Sequence, residues 1–91
     1  MFVCPLEQTM DNKYIDDPIW RHDVCKCIEE LNELAAELSK QYNKPHRDYT
    51  AKIIEELGDV KYRIDNLIDR YYGTDNIKKR IEFKWGTIDE I

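Results

Sequence analysis

Two runs of apolar residues, one on each side of Asn43-Lys44-Pro45, constrain this chain more than any other feature. The first is Trp20, Val24, Cys27, Ile28, Leu31, Leu34, Ala35, Leu38 and Tyr42. The second is Tyr49, Ile53, Leu57, Val60, Ile64, Leu67, Ile68 and Tyr71. Steps of three and four put each set on one face of an α-helix, whereas a strand would alternate. Asp17 can cap free N–H groups and Pro18 suits the first helical position, so a helix is expected over 17–43. Asn43-Lys44-Pro45 reads as a loop, because the residue before proline disfavours helix. A second helix is expected over 48–72, stopped by Gly73. Thr74 is the expected cap of a third over 75–86, carrying Ile77, Ile81 and Trp85 and ending near Gly86. Residues 1–15 give mixed signals and are read as an arm. With only 3 Gly and 3 Pro the chain is short of the turns an all-β fold needs.

The expected fold is therefore all-α and a single domain over 1–91. An antiparallel hairpin and a third helix leave apolar surface over. It must pack as a helical bundle through the third helix, a second copy, or both.

The net charge of −5 bounds the partners. Nucleic-acid binding draws most of its affinity from phosphate neutralisation, so an acidic chain is a poor candidate. Membrane-surface binding is disfavoured for the same reason. No apolar run approaches the ~20 residues of a transmembrane helix, and Met1-Phe2-Val3-Cys4-Pro5-Leu6-Glu7 lacks the pattern of a signal peptide. A cytoplasmic location is expected. Cys4, Cys25 and Cys27 are an odd number, and with His22 and His46 they lack zinc spacing. They are read as reduced thiols with no catalytic task.

The chemistry lies in Glu29-Glu30-Leu31-Asn32-Glu33 and Glu55-Glu56-Leu57-Gly58-Asp59. Residues three apart are neighbours on a helix, so Glu30 pairs with Glu33 and Glu56 with Asp59. Each pair falls beside its apolar stripe, at the mouth of an interhelical groove. Residues 30 and 59, and likewise 33 and 56, are equidistant from the Lys44-Pro45 junction, so a hairpin brings the pairs to one level. Carboxylates that close repel unless protonated or bridged by a cation. Oxygen-only ligation selects Mg²⁺, Mn²⁺ or Ca²⁺ over zinc, with Mg²⁺ first and Mn²⁺ possible. Glu is also a good helix former, and either pair alone would read as solvated surface; the matched register favours a metal site. Lys52, Glu56, Asp59, Arg63, Asn66 and Arg70 continue as one polar stripe. It could ring a metal with phosphate-binding cations, or simply form i,i+4 salt bridges such as Lys52–Glu56 and Asp59–Arg63.

Glu29-Glu30-x-x-Glu33 followed by Glu56-x-x-Asp59 resembles the paired motif of the MazG-like all-α nucleoside triphosphate pyrophosphohydrolases. Ile54-Glu55-Glu56-Leu57-Gly58-Asp59-Val60 is close to that family's second-helix wording, and Ile64-Asp65-Asn66-Leu67 is similar to small phage-encoded members. The resemblance covers roughly residues 20–70. It implies Mg²⁺-dependent cleavage of a (deoxy)nucleoside triphosphate between the α and β phosphates, in the cytoplasm of the cell or of a phage host. It makes Glu30, Glu33, Glu56 and Asp59 the metal-binding and catalytic set; Lys52, Arg63 and Asn66, from the polar stripe, are the residues read toward the substrate. It also implies a homodimer or homotetramer.

Before the first motif the alignment fades. Trp20 and His22 could meet a base, although Trp20 lies on the apolar stripe and reads first as core. Tyr62 is also on the metal side. Lys78, Lys79, Arg80 and Lys84 give the third helix a basic face, read first as solvated. The alternatives are a phosphoribosyl-ATP pyrophosphohydrolase, which shares the paired carboxylates, a non-catalytic helical module that binds a nucleotide or partner, and a structural helical oligomer.

Overall fold

The computed structural model describes residues 12–89, with side chains through residue 86. The described residues are helical throughout apart from short connections. Helix α1 spans Pro18–Asn43, α2 spans Thr50–Leu67 and runs into a π-helical turn at Ile68–Tyr72, and α3 spans Thr74–Asp89. Among the described residues, no helix is long and apolar enough to cross a membrane.

The ends of α1 follow from local chemistry. Asp17 Oδ1 accepts from the Ile19 N–H at 2.9 Å, and Pro18 follows the cap. At the far end the Lys44 N–H donates to Lys40 O at 2.9 Å. Gln41 then ties the connection: its amide nitrogen donates to Arg47 O at 2.7 Å and its amide oxygen accepts from the Tyr49 N–H at 2.9 Å. Part of the expected arm is built into the fold. Asn12 Oδ1 accepts from the Tyr14 N–H at 3.0 Å, and the Tyr14 hydroxyl donates to Tyr71 O at 3.2 Å. Residues 1–11 of that arm lie outside the described residues.

Three boundaries differ from expectation. Helix α2 starts at Thr50, not 48, because the Asp48 carboxylate turns back to accept from the Thr50 N–H at 2.9 Å. Helix α3 begins at Thr74 itself and passes through Gly86 to Asp89. Gly73 is the glycine with positive φ, at 86°, and is where the chain breaks. Gly86 keeps helical geometry, which glycine permits at an entropic penalty.

Contacts between α1 and α2 pair opposite ends. Gln41 meets Tyr49, Glu30 and Glu33 meet Glu56, and Asp23 meets Arg70 and Tyr71. Burial follows a seam of alternating three- and four-residue steps. On α1 it runs through Asp23, Cys27, Glu30, Leu34, Glu37 and Gln41; on α2 it runs through Ile53, Glu56, Val60, Arg63 and Leu67. The apolar stripe read from the sequence lies one position round from this seam. Ile28, Leu31, Leu38, Leu57 and Ile64 are consequently exposed. Cys27 and Val60 are the buried apolar residues among those described.

Near the start of α1, Tyr14, Trp20, Tyr71 and Tyr72 pack together. The Tyr14 and Tyr71 rings meet edge to face at 5.0 Å, and Trp20 Nε1 donates to the Tyr72 hydroxyl at 3.1 Å. Trp20 is thus half-buried in an aromatic cluster.

Candidate metal centre

The seam explains why charge sits inside this protein. Glu30 on α1 and Glu56 on α2 occupy interior seam positions, and Glu33 lies at the polar edge, one turn further along α1. Carboxylate oxygens of Glu30, Glu33 and Glu56 all lie within 4.8 Å of one another. Glu56 is 3% exposed. The expectation placed these groups beside the groove; Glu56 is within it.

The polar bookkeeping at the centre is incomplete. Glu56 Oε1 faces Lys52 Nζ at 3.2 Å, but Glu56 Oε2 is buried and without a hydrogen-bond partner. Glu30 Oε2 is in the same condition. Ionised carboxylates only accept, so they cannot satisfy one another. Burial pushes the Glu56 carboxyl above its ordinary range, and the neighbouring Glu33 adds to that shift while Lys52 opposes it. Buried acceptors facing each other call for a proton or a cation between them. Three carboxylates supply the hard oxygen donors that Mg²⁺ or Mn²⁺ takes.

The other anticipated residues are placed differently. Asp59 is exposed and is not a member of the three-carboxylate group. It sits at the helix edge on a side chain one methylene shorter than Glu. Lys52 reaches the cluster, with Nζ 2.6 Å from Glu55 Oε2 and 3.2 Å from Glu56 Oε1. Glu55 first and Glu56 second hold the Lys52 ammonium protonated, far above neutral pH. Arg63 is half-buried in the seam, with its guanidinium 5.3 Å from the Tyr62 ring centre. Asn66 is half-buried on the same helix.

Sequence reasoning missed Asp23. It is 5% exposed, accepts from the Tyr71 hydroxyl at 2.7 Å and pairs with Arg70 at 2.9 Å. The Tyr71 hydrogen bond, then Arg70, hold its carboxyl below the usual range despite burial. A signal existed: Asp23, Glu30 and Glu37 recur every seven residues, with Cys27 and Leu34 between them.

No protein-family model, no curated protein and no solved structure matches this chain.

Proposed function

We propose that this chain is a divalent-metal-dependent nucleoside triphosphate pyrophosphohydrolase, with Glu30, Glu33 and Glu56 holding the ion. The observation that carries the reading is the pair of buried, unpartnered oxygens, Glu30 Oε2 and Glu56 Oε2, in one cluster with Glu33. The motif spacing supports the reaction class. The contacts of Gln41 with Tyr49 and of Asp23 with Arg70 support the antiparallel hairpin that the register requires.

Mg²⁺ or Mn²⁺, when bound, would neutralise phosphate charge and lower the pKa of a coordinated water. The chain's own groups supply the rest. One carboxylate oxygen of the cluster accepts the proton of the attacking water. The new phosphorus–oxygen bond forms as the bridge between the α and β phosphates breaks, releasing a monophosphate and pyrophosphate. Lys52, held at the rim by two carboxylates, is placed to pair with a phosphate oxygen instead. Asp59, at the same rim, can join as a further ligand by rotating its side chain; Arg63 and Asn66 continue the stripe toward the nucleoside. The reading includes a cytoplasmic location and self-association, the latter supported by the exposed apolar stripe.

The test is pyrophosphate release from a panel of dNTPs and NTPs with Mg²⁺, beside Glu56→Gln. Turnover that falls by at least ~10²-fold in the variant is expected for a lost metal ligand. Equal turnover in both proteins overturns the assignment. Binding of nucleotide without turnover points instead to a non-catalytic module.

A further inference from the structure

The buried carboxylates of the seam differ in how their charge is answered. Asp23 is answered across the hairpin, by Arg70 at 2.9 Å and the Tyr71 hydroxyl at 2.7 Å. Glu37 is answered by Lys40 at 2.9 Å, one turn along its own helix. Glu56 is answered in half. Lys52 Nζ stands 3.2 Å from its Oε1, while its Oε2 is buried with no hydrogen-bond partner. Glu30 and Glu33 bring two more carboxylates to the same place, and Glu30 Oε2 is unpartnered too. Among the described residues, Lys52 is the cation paired with a member of this cluster.

The Lys52 ammonium has a second hold, at 2.6 Å from Glu55 Oε2, closer than its contact with Glu56. The Lys52 and Glu55 side chains are 54% and 57% exposed, whereas that of Glu56 is 4% exposed. The outer contact therefore lies in water at the rim, and the inner one reaches a buried oxygen. A lysine stem is flexible, so rotation about its last bonds can carry the ammonium off Glu56 while Glu55 keeps it. A divalent ion on Glu56 and an ammonium resting on the same carboxylate repel each other. The two carboxylates keep the ammonium charged at neutral pH, Glu55 more than Glu56, so the exchange is of one cation for another.

We infer that Lys52 and the divalent ion compete for Glu56, and that Glu55 receives the ammonium when the ion binds. The inference rests on the metal reading of the proposed function and adds a control of ion affinity by two residues outside the carboxylate cluster. Its consequences have opposite signs. Removing the ammonium tightens the ion, because a competitor is gone. It also weakens the metal-free protein, because the buried Glu56 loses its counter-ion. A salt bridge that only braced α2 would give the second effect without the first. Glu55 acts through the ammonium, so its influence on the ion should depend on Lys52 being present.

The measurement is calorimetric titration of the full chain with Mn²⁺, beside thermal melting in chelator. Lys52→Met keeps an unbranched stem and a similar helix propensity. It should tighten Mn²⁺ about tenfold, the factor that a divalent and a univalent cation about 5 Å apart impose even at the dielectric of water. In chelator it should melt below wild type. Lys52→Arg, which keeps the charge, should bind Mn²⁺ as wild type does. Glu55→Gln should loosen Mn²⁺ more in the wild-type background than in Lys52→Met. Mn²⁺ that binds wild type, is lost in Glu56→Gln and binds Lys52→Met no tighter overturns the inference and leaves the metal centre standing. So does a Glu55→Gln effect of equal size in both backgrounds. Mn²⁺ bound by none of these proteins, Lys52→Met included, removes the metal reading and the inference with it.

Discussion

Glu56 and Asp23 are both buried carboxylates, and their surroundings drive them in opposite directions. Asp23 is ionised and matched: Tyr71 and Arg70 hold its carboxyl low. A depressed carboxylate contributes stability that is present above its unfolded value and is lost as pH falls through the folded one. Stability should therefore fall with pH from the ordinary carboxylate value down to the lowered folded one, and Asp23→Ala should flatten that dependence. The same variant should lose about 1–3 kcal/mol at neutral pH, the penalty for leaving buried hydrogen-bond partners unmatched, readable in urea titrations. Glu56 is the reverse case. Its raised carboxyl means that the folded state prefers the protonated form, so stability falls as pH rises through that raised value. In chelator at neutral pH, Glu56→Gln should melt higher than wild type. With Mg²⁺ or Mn²⁺ at about ten times the dissociation constant, wild type should gain about 1.4 kcal/mol and the variant almost nothing. A variant that melts lower in chelator, or that gains equally from metal, would remove Glu56 from the proposed centre. The carboxylates were legible in the sequence because a helix repeats every three to four residues. Asp23 was not, because its partners arrive from almost fifty residues away.

At the scale of elements, the glycines separate a real chain break from an apparent one. Gly73 has φ 86° and its N–H donates to Ile68 O at 2.7 Å, closing the π turn. Gly73→Ala should cost about 1–2 kcal/mol, since a Cβ disfavours that backbone region. Gly86 lies within α3, with nothing within 4 Å of the place a Cβ would occupy. Gly86→Ala should raise stability by about 0.5–1 kcal/mol; a loss there would mean the helix stops at Gly86 as its sequence suggested. Comparing melting temperatures of the two variants decides both points. The starts and stops that rest on one residue's own chemistry, Asp17-Pro18 and Gly73, were readable. The end of α3 was not, because glycine permits a break without requiring one. The phase of the seam was not readable either. Apolar periodicity locates a stripe, but which neighbour buries it is a tertiary matter, and here Glu30, Glu37 and Glu56 displaced the stripe by one position.

For the whole molecule, the separation of an acidic seam from an apolar flank divides two roles between two sides. Under the proposed function the centre formed by Glu30, Glu33 and Glu56 needs water and phosphate to reach it, which suits the polar side. The flank needs cover. If a second copy provides that cover, melting temperature should rise with protein concentration, as it does whenever association stabilises the folded form. A melting temperature constant over a hundredfold dilution would show that the flank remains bare. The all-helical class was legible in the sequence from the two stripes. What covers the stripes was not, since periodicity carries no information about a second chain.

The Gln41 side chain, which grips Arg47 and Tyr49 with its two amide atoms, makes the short connection a gauge. It sets how far α2 stands along α1, and the carboxylates inherit their alignment from that setting. Adding one residue to the connection would prevent the Gln41 amide from holding both Arg47 and Tyr49 and would loosen the setting of α2 along α1. Length, as much as identity, is therefore heritable information in residues 44–49, and the alignment of the proposed centre rests in part on it.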